Sequence, residues 1–206
     1  MMSLKELEQE QLELAKKVVK QDSVPELELI GGIETGFKFN KLFCTVVVCK
    51  YSDMSLVEKQ SVVEDCRLPY IPGFRALRDL DVMIRVYKGL KQKPGVLLVK
   101  GSGILHPRRL GLASHLGVKL NTATIGITKK LLCGETRGEN VILENEVVGK
   151  LVVTKEKAKP IIISIGHKLS LDASVEVVKK CIRPPHKMPE PLHLAHKFVR
   201  KRMKKY

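Results

Sequence analysis

Between residues 3 and 20 the apolar positions Leu4, Leu7, Leu14, Ala15 and Val18 recur at spacings of three, four and seven. This pattern predicts an amphipathic helix that ends before Pro25 and docks one face on a core. From Glu28 to Lys50 the chain turns to β-branched and aromatic residues. Leu42 to Tyr51 (LFCTVVVCKY) reads as a central strand, with Phe39-Asn40-Lys41 as the turn before it. A third strand near Leu56 to Val63 completes an antiparallel meander. After LPYIPG, residues 74 to 92 return to helical spacing, and Gly95 to Val99 (GVLLV) is a short apolar run of the kind buried in parallel sheets.

The alternation continues with a helix near Arg109 to Leu116, a strand at Ala123 to Ile127, a polar hairpin from Glu135 to Glu146, and strands near Val147 to Val153 and Ile161 to Ile165. Leu169 to Cys181 reads as a helix, and Arg183-Pro184-Pro185 forms a joint before a last helix from about Pro191. The sum predicts an α/β fold built on a mixed sheet.

A chain of 206 residues suits one domain, placed at 1–196, and 44% hydrophobic against 29% charged residues is ample for a folded core. Charge adds a partner class. Thirty-seven Lys and Arg face 22 Asp and Glu, a net +15, which favours a polyanion over a small acidic metabolite. The last ten residues, 197–206, carry six cations and no acid and read as a basic tail. No run nears the roughly 18 apolar residues of a membrane span, and MMSLKELEQE lacks the order of a secretory signal. The expectation is an intracellular protein without a membrane partner, in cytoplasm or nucleus. Five scattered cysteines without a CxxC pair indicate buried thiols rather than disulfides or zinc.

Three loops follow predicted strands, where open α/β sheets place their chemistry. Pro69-Tyr70-Ile71-Pro72-Gly73 is stiffened by two prolines and reads either as a wedge against bases or as a rigid turn burying Tyr70. Lys100 to Arg109 (KGSGILHPRR) combines glycines, His106 and the pair Arg108 and Arg109, suited to holding a phosphate. Thr128-Lys129-Lys130 could neutralise a phosphate or be a solvated turn. His115 reads as packed and His167 as bracing a turn, while His186 and His193, near Pro-rich segments and without metal-ligand spacing, are given no catalytic role.

PYIPGFRALRD, GSGILHPRRLGLASHLGV, TIGITKKLLCG, GHKLSLDASVEVV and MPEPLHLAH, in that order, resemble the successive signature segments of endonuclease V, the deoxyinosine-specific nuclease family. The resemblance runs from about Ile30 to His196. It implies an RNase H-like mixed five-stranded sheet flanked by helices. It also implies a DNA or RNA substrate carrying hypoxanthine, and cleavage at the second phosphodiester 3′ of that base with carboxylate-bound Mg²⁺ or Mn²⁺. Carried over position by position, the wedge falls on Tyr70, Ile71 and Pro72, the substrate loop on Gly101, Gly103, His106, Arg108 and Arg109, the phosphate-contacting lysine on Lys129, and a position near the metal on His196.

The same alignment brings the three familial carboxylates onto Glu34, Asp79 and Lys100, and none is the familial residue. Glu34 stands for an aspartate, Asp79 for a glutamate, and Lys100 puts a cation where the family has a ligand. Mg²⁺ tolerates little departure from octahedral oxygen geometry, so the expectation is a weak or absent metal site and binding without efficient cutting. Two alternatives stand beside it. One is an active, Mg²⁺-dependent inosine-specific endonuclease in which Glu34, Asp79 and a nearby acid such as Asp81 hold one ion and Lys100 contacts the scissile phosphate. The other is a ribonucleoprotein-associated factor bound through the basic tail. No small-molecule cofactor is expected.

Overall fold

The computed structural model describes residues 3–24 and 26–206; Pro25, the expected helix stop, lies outside them. The chain opens with α1 (Leu4–Ala15), whose Ser3 cap and Glu6 bond each other's backbone amides. It ends five residues short of the expected stretch because tertiary partners capture the backbone. The Val19 amide donates to His167 Nδ1 at 3.2 Å, and the Lys168 amide to the Val19 carbonyl at 2.7 Å.

Three long strands form the meander: β1 (Leu29–Lys38), β2 (Lys41–Lys50) and β3 (Leu56–Asp65). Phe39 and Asn40 turn the chain with positive φ. Helix α2 (Arg75–Lys88) follows the LPYIPG loop, then β4 (Val96–Val99), whose four residues are all buried. Lys93 Nζ ties the end of α2 by donating to the carbonyls of Tyr87, Lys88 and Leu90.

Helix α3 (Leu112–Leu120) begins three residues later than its spacing suggested, because Arg109 takes a left-handed φ of 54° and Gly111 is the extended N-cap. Then come β5 (Ala123–Thr128), β6 (Glu135–Arg137), β7 (Asn140–Leu143), β8 (Glu146–Val152), β9 (Ile161–His167), α4 (Leu171–Lys180) and α5 (Glu190–Met203).

One sheet runs in the order β3-β2-β1-β4-β5-β9-β8-β7-β6. Its first five strands are the expected RNase H-like set, with β1, β4 and β5 parallel. The sheet is nine-stranded rather than five-stranded, because β9 adds antiparallel to β5 and the polar hairpin β6–β7 continues the sheet through β8. Helices cover both faces. Ile33, Val46, Leu97 and Val99 pack with α2 and α3, and Ile30, Val47, Leu98 and Ile163 with α4 and α5. A smaller cluster of Ile104, Leu105, Val141 and Val148 fills the space beneath the added strands.

Helix α5 sets the site on β1. A Cβ on Gly32 would lie 2.3 Å from the carbonyl carbon of Pro191, so only glycine admits the helix this close. The helix continues without a break past residue 197 as far as Met203, so the basic segment begins as the end of this last helix, with Val199 buried and its cations on the exposed side. Among the described residues no helix is long and apolar enough to cross a membrane.

Candidate active site

Strands β1 and β4 are parallel with Ile33 opposite Val99, a register that carries Glu34 and Lys100 side by side past the end of β4. Lys100 Nζ lies 2.5 Å from Glu34 Oε1. His196, brought from α5, places Nδ1 2.8 Å from the same oxygen and 3.4 Å from the ammonium. Glu34 is only 5% exposed, and its second oxygen, Oε2, is buried with no hydrogen-bond partner. One carboxylate oxygen therefore carries both neighbours while the other is orphaned.

Asp79 is fully buried on α2, and both its oxygens accept hydrogen bonds. Its Oδ2 accepts from Arg75 Nε at 2.7 Å and Thr35 Oγ1 at 2.6 Å, and its Oδ1 from Arg78 Nε at 2.7 Å. Burial alone would raise the carboxyl's pKa, but Arg75, Arg78 and Thr35 outweigh it and hold the group below the usual carboxylate range. Arg75 also links the two centres, since its Nη1 donates to the Lys100 carbonyl at 2.8 Å. Among the described residues no three His, Cys, Asp or Glu side chains are grouped so as to hold a metal ion.

Beside this centre a cavity of about 310 Å³ opens between the prolines' loop, the loop after β4 and the turn after β5; Tyr70, Arg75, Gly101, Ser102, Leu112 and Lys130 are among its lining. Tyr70 stands at its mouth, 54% exposed, with the Arg78 guanidinium 5.5 Å from its ring. The rigid-turn reading, in which Tyr70 is buried, is excluded. Ile71 is half-buried and Pro72 exposed on the same loop.

His106 and Arg108 hold that loop from below. His106 is 3% exposed; its Nδ1 accepts from the Arg108 amide, so the neutral ring donates through Nε2 to the Gly73 carbonyl at 3.1 Å. Burial, with help from the Arg108 charge, pushes its pKa down to about 4. Arg108 donates to the same carbonyl at 2.9 Å and to Gln11 of α1 at 2.5 Å.

Two expectations for the substrate loop are corrected here. Arg109 turns away from Arg108 to the Leu143 carbonyl, Glu144 and Glu146, so the two guanidiniums do not form one phosphate fork. Gly103 serves the sheet rather than the surface, since a Cβ there would sit 1.8 Å from the Ile165 carbonyl oxygen. Gly101, in contrast, borders the cavity. Lys129 is exposed and shares a second hollow, of about 280 Å³, with Arg75, Lys100 and Met188.

Comparison with known proteins identifies the family. The sequence model described as Endonuclease V matches residues 12–197. The chain belongs to the endonuclease V family. Endonuclease V of Dictyoglomus thermophilum is 37% identical over 199 residues, covering 93% of this chain and 87% of the relative. That of Thermofilum pendens is 39% identical over 203 residues, covering 96% and 88%.

Among solved structures, Streptomyces avermitilis endonuclease V superposes with a TM-score of 0.90 at 26% identity, covering 100% of this chain and 95% of the other. The Ciona intestinalis endonuclease V, in complex with a 24mer DNA containing an inosine followed by a ribo-adenosine, gives 0.88 at 30% identity, covering 98% of both chains.

Of the residues singled out from the sequence, the structure brings Glu34, Lys100 and His196 together at the centre and places Tyr70, Gly101 and Lys129 around the adjoining hollows. Arg75, Arg78 and Thr35 were missed by sequence reasoning. Arg75 stands four residues before Asp79 on one helix, a spacing that brings side chains together and was the available signal. The Thr35 contact crosses between elements and left none.

Proposed function

We propose that this endonuclease V-family protein binds inosine-containing DNA or RNA and that its metal-dependent phosphodiester cleavage is severely weakened. The observation that carries this reading is the Lys100 ammonium 2.5 Å from Glu34 Oε1, a cation of the protein's own at the side chain that would receive Mg²⁺ or Mn²⁺.

The residues present do not fit that ion. A hard divalent cation needs several anionic or carbonyl oxygens at about 2.0 to 2.6 Å. Here Glu34 Oε1 is shared by Lys100 and His196, both Asp79 oxygens are taken by guanidiniums and a hydroxyl, and the third familial position is a lysine. Two carboxylates face three fixed cations, Lys100, Arg75 and Arg78, so the local field opposes a further positive charge.

The groups that would hold a strand are favoured by the same geometry. Tyr70 projects at the mouth of a cavity with backbone and small residues on its walls, a form suited to receiving an unstacked base. His106 and Arg108 fix the loop that presents it, and Lys129, which has no carboxylate partner among the described residues, lines the hollow beside the centre.

The second reading, an active endonuclease, is favoured by one observation: Glu34 Oε2 is buried without a partner, an acceptor that a cation or water would satisfy. Incubation of purified protein with inosine-bearing DNA and RNA in Mg²⁺ and in Mn²⁺ separates the two. The expected outcome is retention of the inosine strand in a binding assay with nicking near background. Clear nicking on the 3′ side that disappears in Glu34→Ala would establish the second reading.

A further inference from the structure

The net charge of +15 is not concentrated at the family site. Arg75, Arg78, Lys100, Arg108 and Arg109 there are each paired with a carboxylate. A second concentration of cations lies elsewhere, in a hollow of about 390 Å³ between the outer part of α5 and the edge strand β3, lined by Lys59, Ser61, Phe198, Lys201, Arg202 and Lys205. Among the described residues no carboxylate pairs with any of these four cations. Lys59 Nζ instead rests 4.4 Å from the centre of the Phe198 ring. Like charges gathered without counter-ions repel one another, and that cost is removed by a polyanion.

The chemistry selects the occupant. A lone phosphate would meet one or two of the four cations, whereas a strand offers an anion at every nucleotide and meets them in succession. Lys201 and Lys205 are four residues apart, about one helical turn, and Lys59 faces them from β3. His196, whose ring contacts Glu34, lies roughly half a turn around α5 from Phe198, Lys201 and Lys205, so the groove runs along the flank of the helix turned away from the candidate site. Phe198, packed on the core with Lys59 over its ring, holds that lysine in place.

We infer that the α5–β3 groove is a second nucleic-acid-binding track, which holds a single strand through its phosphates on the flank of α5 away from the candidate site. The inference rests on the nucleic-acid-binding part of the proposed function and is independent of whether cleavage occurs.

The test compares wild type with Lys59→Ala/Lys201→Ala/Lys205→Ala and with a control of equal charge loss, Lys17→Ala/Lys88→Ala/Lys179→Ala, at three exposed lysines that line neither the groove nor the hollows of the candidate site. Affinity for single-stranded oligonucleotides, with and without inosine, is measured across a salt series, and thermal unfolding verifies that each variant is folded. For single strands each phosphate contact adds about 0.7 to the slope of log K against log salt.

The groove variant is expected to lose about 2 from that slope and roughly tenfold or more in affinity at moderate salt, equally for both sequences, and to keep wild-type preference for inosine. The control is expected to match wild type. Equal losses in groove and control variants would overturn the track as a site and leave only general attraction. An unchanged slope in a folded groove variant would overturn it as well. Failure of the inosine reading is seen separately, as absence of inosine preference in the wild-type protein.

Discussion

At the scale of single residues the centre is decided by which groups satisfy two buried carboxylates. Glu34 and Lys100 neutralise each other, and Asp79 is closed between Arg75, Arg78 and Thr35. Breaking a buried pair leaves its charged partners behind and costs more than the pair itself contributes. Asp79→Asn is therefore expected to lower stability at neutral pH by about 3 kcal/mol, measured by urea unfolding. The sign with pH follows from the depressed carboxyl. Its stabilisation is present above the unfolded value of about 3.9 and is lost as pH falls through the lower folded value. The deficit of the variant should thus shrink below pH ~4. A variant as stable as wild type at neutral pH would show that the guanidiniums are held by other groups.

At the scale of elements, two pieces of chain present the site: the loop of prolines before α2, and α5 laid along β1. Tyr70→Ala removes an exposed ring whose only aromatic-cation contact is Arg78. It is expected to leave thermal stability within about 0.5 kcal/mol while abolishing preference for inosine over ordinary strands in a binding assay. Intact preference would remove the wedge role.

Much of this arrangement was legible in the sequence for a physical reason. LFCTVVVCKY and GVLLV are buried on both faces, and such strands write themselves as uninterrupted apolar runs. The wedge loop was legible because two prolines leave its backbone few choices. The short end of α1 and the late start of α3 were not, since the first depends on His167 and Lys168 across the fold and the second on one left-handed Arg109. The hairpin β6–β7 carries few apolar residues, so its membership of the main sheet could not be read from periodicity. At the centre, the alignment brought Lys100 to the site, but its contact with Glu34 depends on the β1–β4 register, which no local pattern specifies.

At the scale of the whole molecule the chain keeps the endonuclease V family's fold, with relatives matching over more than nine-tenths of its length. Its net charge of +15 includes four cations in the α5–β3 groove that have no carboxylate partner among the described residues. On the proposed reading the protein attracts a polyanion more strongly than it holds a divalent cation.

Titration with Mn²⁺, followed by calorimetry and by thermal unfolding, tests this most directly in wild type and in Lys100→Asp. Wild type should bind no ion that depends on Glu34, and its melting temperature should not move. Lys100→Asp should be destabilised alone but rise by about 5 to 10 °C with Mn²⁺ near a hundredfold its dissociation constant. A single Mn²⁺ bound to wild type, lost in Glu34→Ala and no tighter in Lys100→Asp, would contradict the account.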